Sequence, residues 1–236
     1  MLDVTLKKRR GDIVLDVAFT CRRPSIMVLF GRSGSGKTTI VQMLAGLVEP
    51  DEGVIRCGRD VLYDSGRRIS LPPEKRGAGI VFQERRLFSY ISVRQNLLFG
   101  HRFGGRPLKE GAFDKVVALL GLERLLHRRP NTLSGGEGQR VAIGRALLAC
   151  TSFLLMDEPL ASLDQERKDD LLRHIDDIPG NFGIPVIYVT HSRRELNGLA
   201  DDVLFLGRER VTPAAKTAPL YPGGDVPTGR VRSATY

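Results

Sequence analysis

Apolar and polar positions alternate along the start of the chain and then give way to an unbroken apolar run. Leu2 to Leu6 and Ile13 to Phe19 alternate with the two-residue period of strands, whereas Ser25 to Phe30 is continuous and enters a glycine-rich loop. The alternation predicts a half-exposed antiparallel layer, and the continuous run predicts a buried central strand. Thr39 to Leu47 reads as a helix directly after the loop. Val54 to Cys57 and Val61 to Tyr63, on either side of Gly58-Arg59-Asp60, predict a hairpin, and Ile80-Val81-Phe82 predicts a buried strand that delivers Gln83 at its end.

From about Val93 to Ala149 the period becomes helical, with Phe113, Val116, Val117, Leu119 and Leu120 on one side and a break at Gly121. A helical insertion is expected there. Phe153 to Met156 and Val186 to Val189 return to buried strands, with a helix from Gln165 to Ile178 between them. That is the β-α-β alternation of a parallel sheet, so the fold class is α/β. Beyond Gly207 the segment ending in Pro219 to Tyr236 carries Pro, Gly, Thr and Arg without periodicity and is expected to be a loosely packed tail.

A length of 236 residues with 42% hydrophobic content suffices for a substantial core in one domain. No apolar run approaches the roughly 18 residues of a membrane-spanning helix. The opening MLDVTLKKRR has charges where a signal peptide needs its apolar region, so a cytoplasmic chain is expected. Cys21, Cys57 and Cys150 are too widely spaced for a metal knuckle or a disulfide framework and are read as reduced, packed thiols. The net charge of +9 raises the question of nucleic acid. Its basic pairs, among them Arg9-Arg10, Arg22-Arg23, Arg67-Arg68 and Arg128-Arg129, are scattered and accompany no aromatic-rich segment, so no nucleic-acid partner is expected. Solvated surface, and after it attraction to anionic lipid headgroups, accounts for the charge.

The candidate chemistry begins at Gly31-Arg32-Ser33-Gly34-Ser35-Gly36-Lys37-Thr38, which matches G-x-x-x-x-G-K-[ST] between a strand and a helix. Glycines there let backbone N–H groups turn inward around phosphate oxygens, and the following helix N-terminus adds partial positive charge. Lys37 is expected on the β- and γ-phosphates, Thr38 on Mg²⁺, and Thr39 beside them. Asp157 and Glu158 leave the carboxyl end of a buried strand, the ligand edge of an open sheet. Asp157 is read as part of the Mg²⁺ shell, and Glu158 as the group that polarises the water attacking the γ-phosphate. Leu133-Ser134-Gly135-Gly136-Glu137 is a capping-box pattern, which by itself is a plain helix start. Its paired glycines, each costly in a helix by up to about 1 kcal/mol, suit a place where phosphate meets bare backbone.

Together these segments resemble the ATP-binding cassette family, whose fold is a P-loop NTPase core with a mainly parallel sheet, an N-terminal antiparallel β subdomain and an inserted helical subdomain. The resemblance implies an ATPase domain over residues 1–206, with the helical insertion at about 88–150 and a tail at 207–236. It implies that two chains close head-to-tail on ATP and Mg²⁺, with Ser134, Gly135, Gly136 and Glu137 of one chain facing the γ-phosphate held by the other. It further implies that Gln83 touches Mg²⁺ and the attacking water, that Ser162-Leu163-Asp164 crosses the dimer interface, and that His191 contacts the γ-phosphate.

Many cassettes stack adenine on an aromatic side chain before the P-loop, but Lys7 to Asp12 contains none. Arg9 or Arg10 could stack by its guanidinium plane. An unchanged nucleotide dissociation constant in Arg10→Ala would reject that role for Arg10.

The insertion between Gln83 and Ser134 is short and without heptads, unlike the long coiled coils of repair and chromosome proteins. The pattern favours transport, with separate transmembrane permease subunits and, indirectly, a periplasmic or extracytoplasmic binding protein. Leu71 to Arg76, Val81 to Phe88, Leu133 to Leu148 and Asp157 to Asp164 look most like the ATPase subunits of molybdate importers, with sulfate, ferric-iron and sugar importers as sister readings. Typical members add a C-terminal oxyanion-binding domain, which this sequence is expected to lack. A soluble cassette protein without a transport role is the reading from another class. The segment after Gln83, including Phe88, Tyr90 and Ile91 and expected to be helical, is either the groove for a membrane-subunit helix or subdomain packing.

Overall fold

Two five-stranded sheets share the chain's apolar residues in the computed structural model, which describes residues 1–10, 13–104 and 108–207. The first sheet is built from β1 (Leu2–Arg10), β2 (Ile13–Cys21), β4 (Glu52–Cys57), β5 (Asp60–Asp64) and β6 (Ile69–Ser70). It is antiparallel throughout, in the order β2-β1-β4-β5-β6. The second joins β3 (Ile26–Gly31), β7 (Ala78–Val81), β8 (Phe153–Asp157), β9 (Val186–Thr190) and β10 (Asp202–Leu206) in the order β10-β3-β9-β8-β7. All its pairings are parallel.

The helices are α1 (Lys37–Ala45), α2 (Val93–Gly104), α3 (Ala112–Leu120), α4 (Gly135–Ala149), α5 (Gln165–Asp176), α6 (Ile178–Phe182) and α7 (Arg193–Leu199). Both faces of the parallel sheet are covered, which is why its strands read as continuous apolar runs. Met27, Leu29, Phe153, Leu155, Ile187 and Val189 face the antiparallel sheet and α1. The alternate residues Ile26, Val28, Leu154, Met156, Val186 and Tyr188 face the core shared with α2 to α5 and α7.

Several elements depart from the sequence reading. α1 starts at Lys37, two residues earlier than expected, and ends at Ala45, because Gly46 takes a left-handed conformation with φ 80°. The helix expected from Gln165 to Ile178 stops at Asp176, and Pro179 opens the separate α6 at its first turn. β7 ends at Val81, so Phe82 lies outside the strand and Gln83 sits in the bend that follows. Phe88, Tyr90 and Ile91 are in the loop before α2 and not in a helix. β6, α7 and β10 had no counterpart in the sequence reading. The expected tail lies outside the described residues, as do Gly11 and Asp12.

Two packing features bear directly on the phosphate loop. Arg76, only 2% exposed, donates from Nη1 to the carbonyls of Met43 (2.7 Å) and Leu44 (3.2 Å) and from Nε to that of Leu71 (2.7 Å). It thus places a cation on carbonyls at the C-terminal end of α1, the negative end of the helix dipole. At the other end, β10 runs so close to β3 that a Cβ on Gly31 would lie 2.3 Å from the Leu206 carbonyl oxygen.

Candidate nucleotide site

Parallel strands end on one edge, and four of those ends carry the candidate residues. β3 runs into the 31–38 loop, β7 is followed by Gln83, β8 ends at Asp157 with Glu158 next, and β9 ends at Thr190 with His191 next. The register sets them side by side, since Val81 pairs with Met156, Asp157 with Val189 and Phe30 with Thr190. This is the edge where open α/β sheets bind ligands.

The loop itself is shaped by glycine. Gly34 and Gly36 have φ of 79° and 90°, and a Cβ on Gly36 would meet the Leu15 side chain at 2.4 Å. Ser35 N–H donates to the Arg32 carbonyl (3.2 Å), which closes the turn ahead of α1. Arg32, Ser33, Gly34 and Thr38 are exposed along the mouth, and Thr39 is buried beneath it. Lys37 is 4% exposed, and its Nζ donates to the carbonyls of Gly31 and Arg32 at 2.8 Å each. Burial pulls its ammonium below the usual range, against the opposing pull of Glu158 and Asp157. The ammonium is thus held on the inner side of the loop where phosphates would sit.

Thr38 Oγ1 donates to Asp157 Oδ1 at 3.2 Å. One hydroxyl and one carboxylate are hard oxygen donors of the kind Mg²⁺ accepts when phosphates and water complete its shell. Among the described residues there is no group of three or more His, Cys, Asp or Glu side chains that could hold a metal ion. Burial lifts the Asp157 carboxyl above the usual range; Thr38 and Lys37 oppose that shift, and Glu158 adds to it.

A folded-state pKa raised in this way means the group stabilises the fold fully only below its ordinary value, and that contribution is lost as pH rises through the raised value. At neutral pH Asp157 therefore costs stability. Asp157→Asn should raise Tm at pH 7 by about 2–4 °C, the equivalent of roughly 1 kcal/mol in a domain of this size. The gain should shrink as pH falls towards about 4. A lower Tm at pH 7, read by calorimetry, would contradict this account.

Glu158 has a positive φ of 46°, a strained conformation for a non-glycine residue. Its N–H donates to the Val189 carbonyl at 3.1 Å, so the strained residue is still anchored to the sheet. The carboxylate Oε1 lies 3.2 Å from His191 Nδ1 and 3.8 Å from Lys37 Nζ. A base, an exposed imidazole and a buried cation therefore meet beside the Thr38–Asp157 pair.

The LSGGE segment forms its own capping box. Glu137 N–H donates to Ser134 Oγ (3.3 Å), and Ser134 N–H donates to Glu137 Oε2 (2.7 Å). The Ser134 N–H holds the Glu137 carboxyl below its usual range. Gly135 and Gly136 face Leu163 and Arg167, so the start of α4 lies beside the Ser162–Asp164 loop. Asp164 caps α5 by accepting from Arg167 N–H at 3.1 Å and pairs with Arg167 Nε at 3.3 Å.

The sequence reading missed the residues that fix the loop after Gln83, which is itself exposed. Arg145 of α4 donates to the carbonyls of Arg86 (2.8 Å) and Arg85 (3.3 Å), and buried Asn96 bonds both the N–H and the carbonyl of Phe88. Arg9 is exposed on β1, while the side chain of Arg10 lies outside the described residues.

A family model described as ABC transporter matches residues 14–161. The "Molybdenum import ATP-binding protein ModC" of Paramagnetospirillum magneticum is 49% identical over 232 residues, which is 98% of this chain and 64% of that protein. The protein of the same name from Rhodospirillum rubrum is 46% identical over 227 residues, 96% of this chain and 61% of that one. The chain thus spans under two thirds of the length of these relatives. Among solved structures, cbiO1 from Clostridium perfringens, described as part of the ABC transporter complex cbiONQ, superimposes with a TM-score of 0.74 at 27% identity. That superposition covers 87% of this chain and 84% of the other.

Proposed function

Because this chain belongs to the ABC transporter family, we propose that it is the ATP-hydrolysing subunit of a bacterial importer, with molybdate as the transported oxyanion. The observation that carries the hydrolytic part is the meeting of Glu158 Oε1 with His191 Nδ1 and Lys37 Nζ next to the Thr38–Asp157 pair. The likeness to molybdenum-import ATP-binding proteins, along almost all of this chain, supports the cargo.

In this reading the N–H groups of Gly34 to Thr39 and the N-terminus of α1 bind the ATP phosphates, and Lys37 neutralises their charge. Thr38 and Asp157 would hold Mg²⁺, with Gln83 approaching it from the end of β7. When bound there, Mg²⁺ would supply charge neutralisation to the phosphates. Glu158 accepts the proton of the attacking water, and His191 orients Glu158 and contacts the γ-phosphate.

Ser134 to Glu137 complete the site of a second chain, so two chains act as a head-to-tail homodimer with Asp164 at the crossing. The likeness to import ATP-binding proteins supports separate permease subunits, with this chain bound peripherally at the cytoplasmic face of the inner membrane; no helix among the described residues is long and apolar enough to cross a membrane. A substrate-binding protein outside that membrane would deliver the cargo.

The test is reconstitution of the chain with its co-purifying membrane subunits in liposomes, reading ATP hydrolysis with binding protein loaded in turn with molybdate, tungstate and sulfate. Stimulation by molybdate or tungstate alone is expected. Stimulation by sulfate would move the chain to a sister importer, and intact ATPase without any membrane partner would make it a soluble cassette protein.

A further inference from the structure

His191 is 61% exposed at its side chain, so little packing fixes the imidazole that meets Glu158. The peptide that follows it, in contrast, is held by one buried hydroxyl. Thr190, 2% exposed, donates from Oγ1 to Glu195 Oε2 at 2.7 Å and accepts from the Ser192 N–H at 2.9 Å. The same Glu195 oxygen accepts from the Tyr188 hydroxyl at 3.0 Å. Burial and the neighbouring carboxylate push that phenol well above its usual range, so it stays a donor. Lys168 of α5 lies 3.8 Å from Oε1, and Ser192 Oγ caps α7 by accepting from the Glu195 N–H at 3.4 Å.

Glu195 is 5% exposed. A buried carboxylate of this kind is weak evidence for stability, because desolvation offsets its pairing. Orientation is the return it can give here, since each of its short bonds ends on β9 within three residues of His191.

We propose that Glu195 is a positioning residue for His191, acting through the Thr190 hydroxyl to hold the turn that presents the imidazole to Glu158. The inference rests on the hydrolytic reading of Glu158 and His191 and names the buried group that keeps this pair aligned. Tyr188 and Lys168 hold the carboxylate in place, and Thr190 passes that fixity through the Ser192 N–H to the peptide that follows His191.

The experiment compares wild type with Glu195→Gln, Thr190→Val and Thr190→Ser, reading the imidazole resonances of the nucleotide-free proteins together with kcat and KM for ATP. The His191 resonance should shift and broaden in Glu195→Gln and Thr190→Val and return in Thr190→Ser, while those of His127 and His174 stay put. kcat should fall on the order of tenfold with KM unchanged, the expected cost of a displaced catalytic group. In a His191→Ala background Glu195→Gln should add no further loss.

An unmoved His191 resonance in both variants, or losses that multiply in the His191→Ala background, would overturn the proposal. If Glu195→Gln also disturbs the control histidines, its fold is compromised and the Thr190 pair decides. A wild-type chain without ATPase activity would reject the hydrolytic reading alone, because the resonance comparison needs no nucleotide.

Discussion

Glu158→Gln should lose about 100-fold or more in kcat while binding Mg-ATP as tightly as wild type. The amide keeps the shape of the carboxylate and can still accept from the His191 imidazole, but it cannot take a proton from water. Lys37 loses a counter-charge 3.8 Å away, and the carbonyls of Gly31 and Arg32 continue to hold its ammonium in place. The two effects separate in experiment, since nucleotide titration reads binding and single-turnover hydrolysis reads the chemical step. Blocked hydrolysis should also trap the closed pair of chains. A Glu158→Gln protein that stays monomeric in saturating Mg-ATP, by light scattering, would count against a site completed by Ser134 to Glu137 of a partner.

Lys37→Ala should fail earlier, at binding. Removing the ammonium deletes a charge-assisted contact to phosphate, worth about 2.7 kcal/mol if affinity drops 100-fold. It also strips the donor from two carbonyls that turn towards the inside of the loop. Lys37→Met keeps most of the buried stem, so comparing the two variants separates lost charge from lost packing. Wild-type ATP affinity in Lys37→Ala, by calorimetric titration, would contradict the role given to Lys37.

The parts of this fold that were readable in the sequence are those whose cause is local. The run from Ser25 to Phe30 followed by Gly31 to Thr38 specifies strand, loop and helix within a dozen or so residues, because glycine at Gly34 and Gly36 permits the positive φ that the loop adopts. The capping box at Ser134 and Glu137 is likewise a three-residue device, and it forms as its pattern indicates. Phe153 to Met156 and Val186 to Val189 are buried on both faces, and that two-sided burial is what their unbroken apolar character records.

Where the reading failed, a local pattern competed with a single residue or a distant partner. Leu171, Ile175 and Ile178 keep helical spacing and are all buried, so the periodicity runs straight through the break that Pro179 makes. Phe88, Tyr90 and Ile91 are apolar and closely spaced like a helix face. Their loop instead owes its shape to Asn96 and Arg145, whose bonds to backbone carbonyls leave no trace in the hydropathy of the segment they hold. Arg76 and Glu195 were invisible for a related reason. A charged residue reads as surface, yet both are at most 5% exposed because carbonyls, hydroxyls or a lysine brought from elsewhere satisfy them. Within the candidate site the residue types were legible, but the contacts of Thr38 with Asp157 and of Glu158 with His191 depend on strand order, which only the folded sheet supplies.

The tight passage of β10 alongside β3 has a practical bearing on how this protein can be handled. Leu206 sits against Gly31 with no room for a methyl group, and β10 runs parallel to β3, so the covalent chain leaves the sheet on the side where ATP is expected to enter. A substitution that shifts Leu206 would therefore press on the start of the phosphate loop at Gly31. A label meant to leave that loop undisturbed belongs on the far edge of the antiparallel sheet, near Ile69.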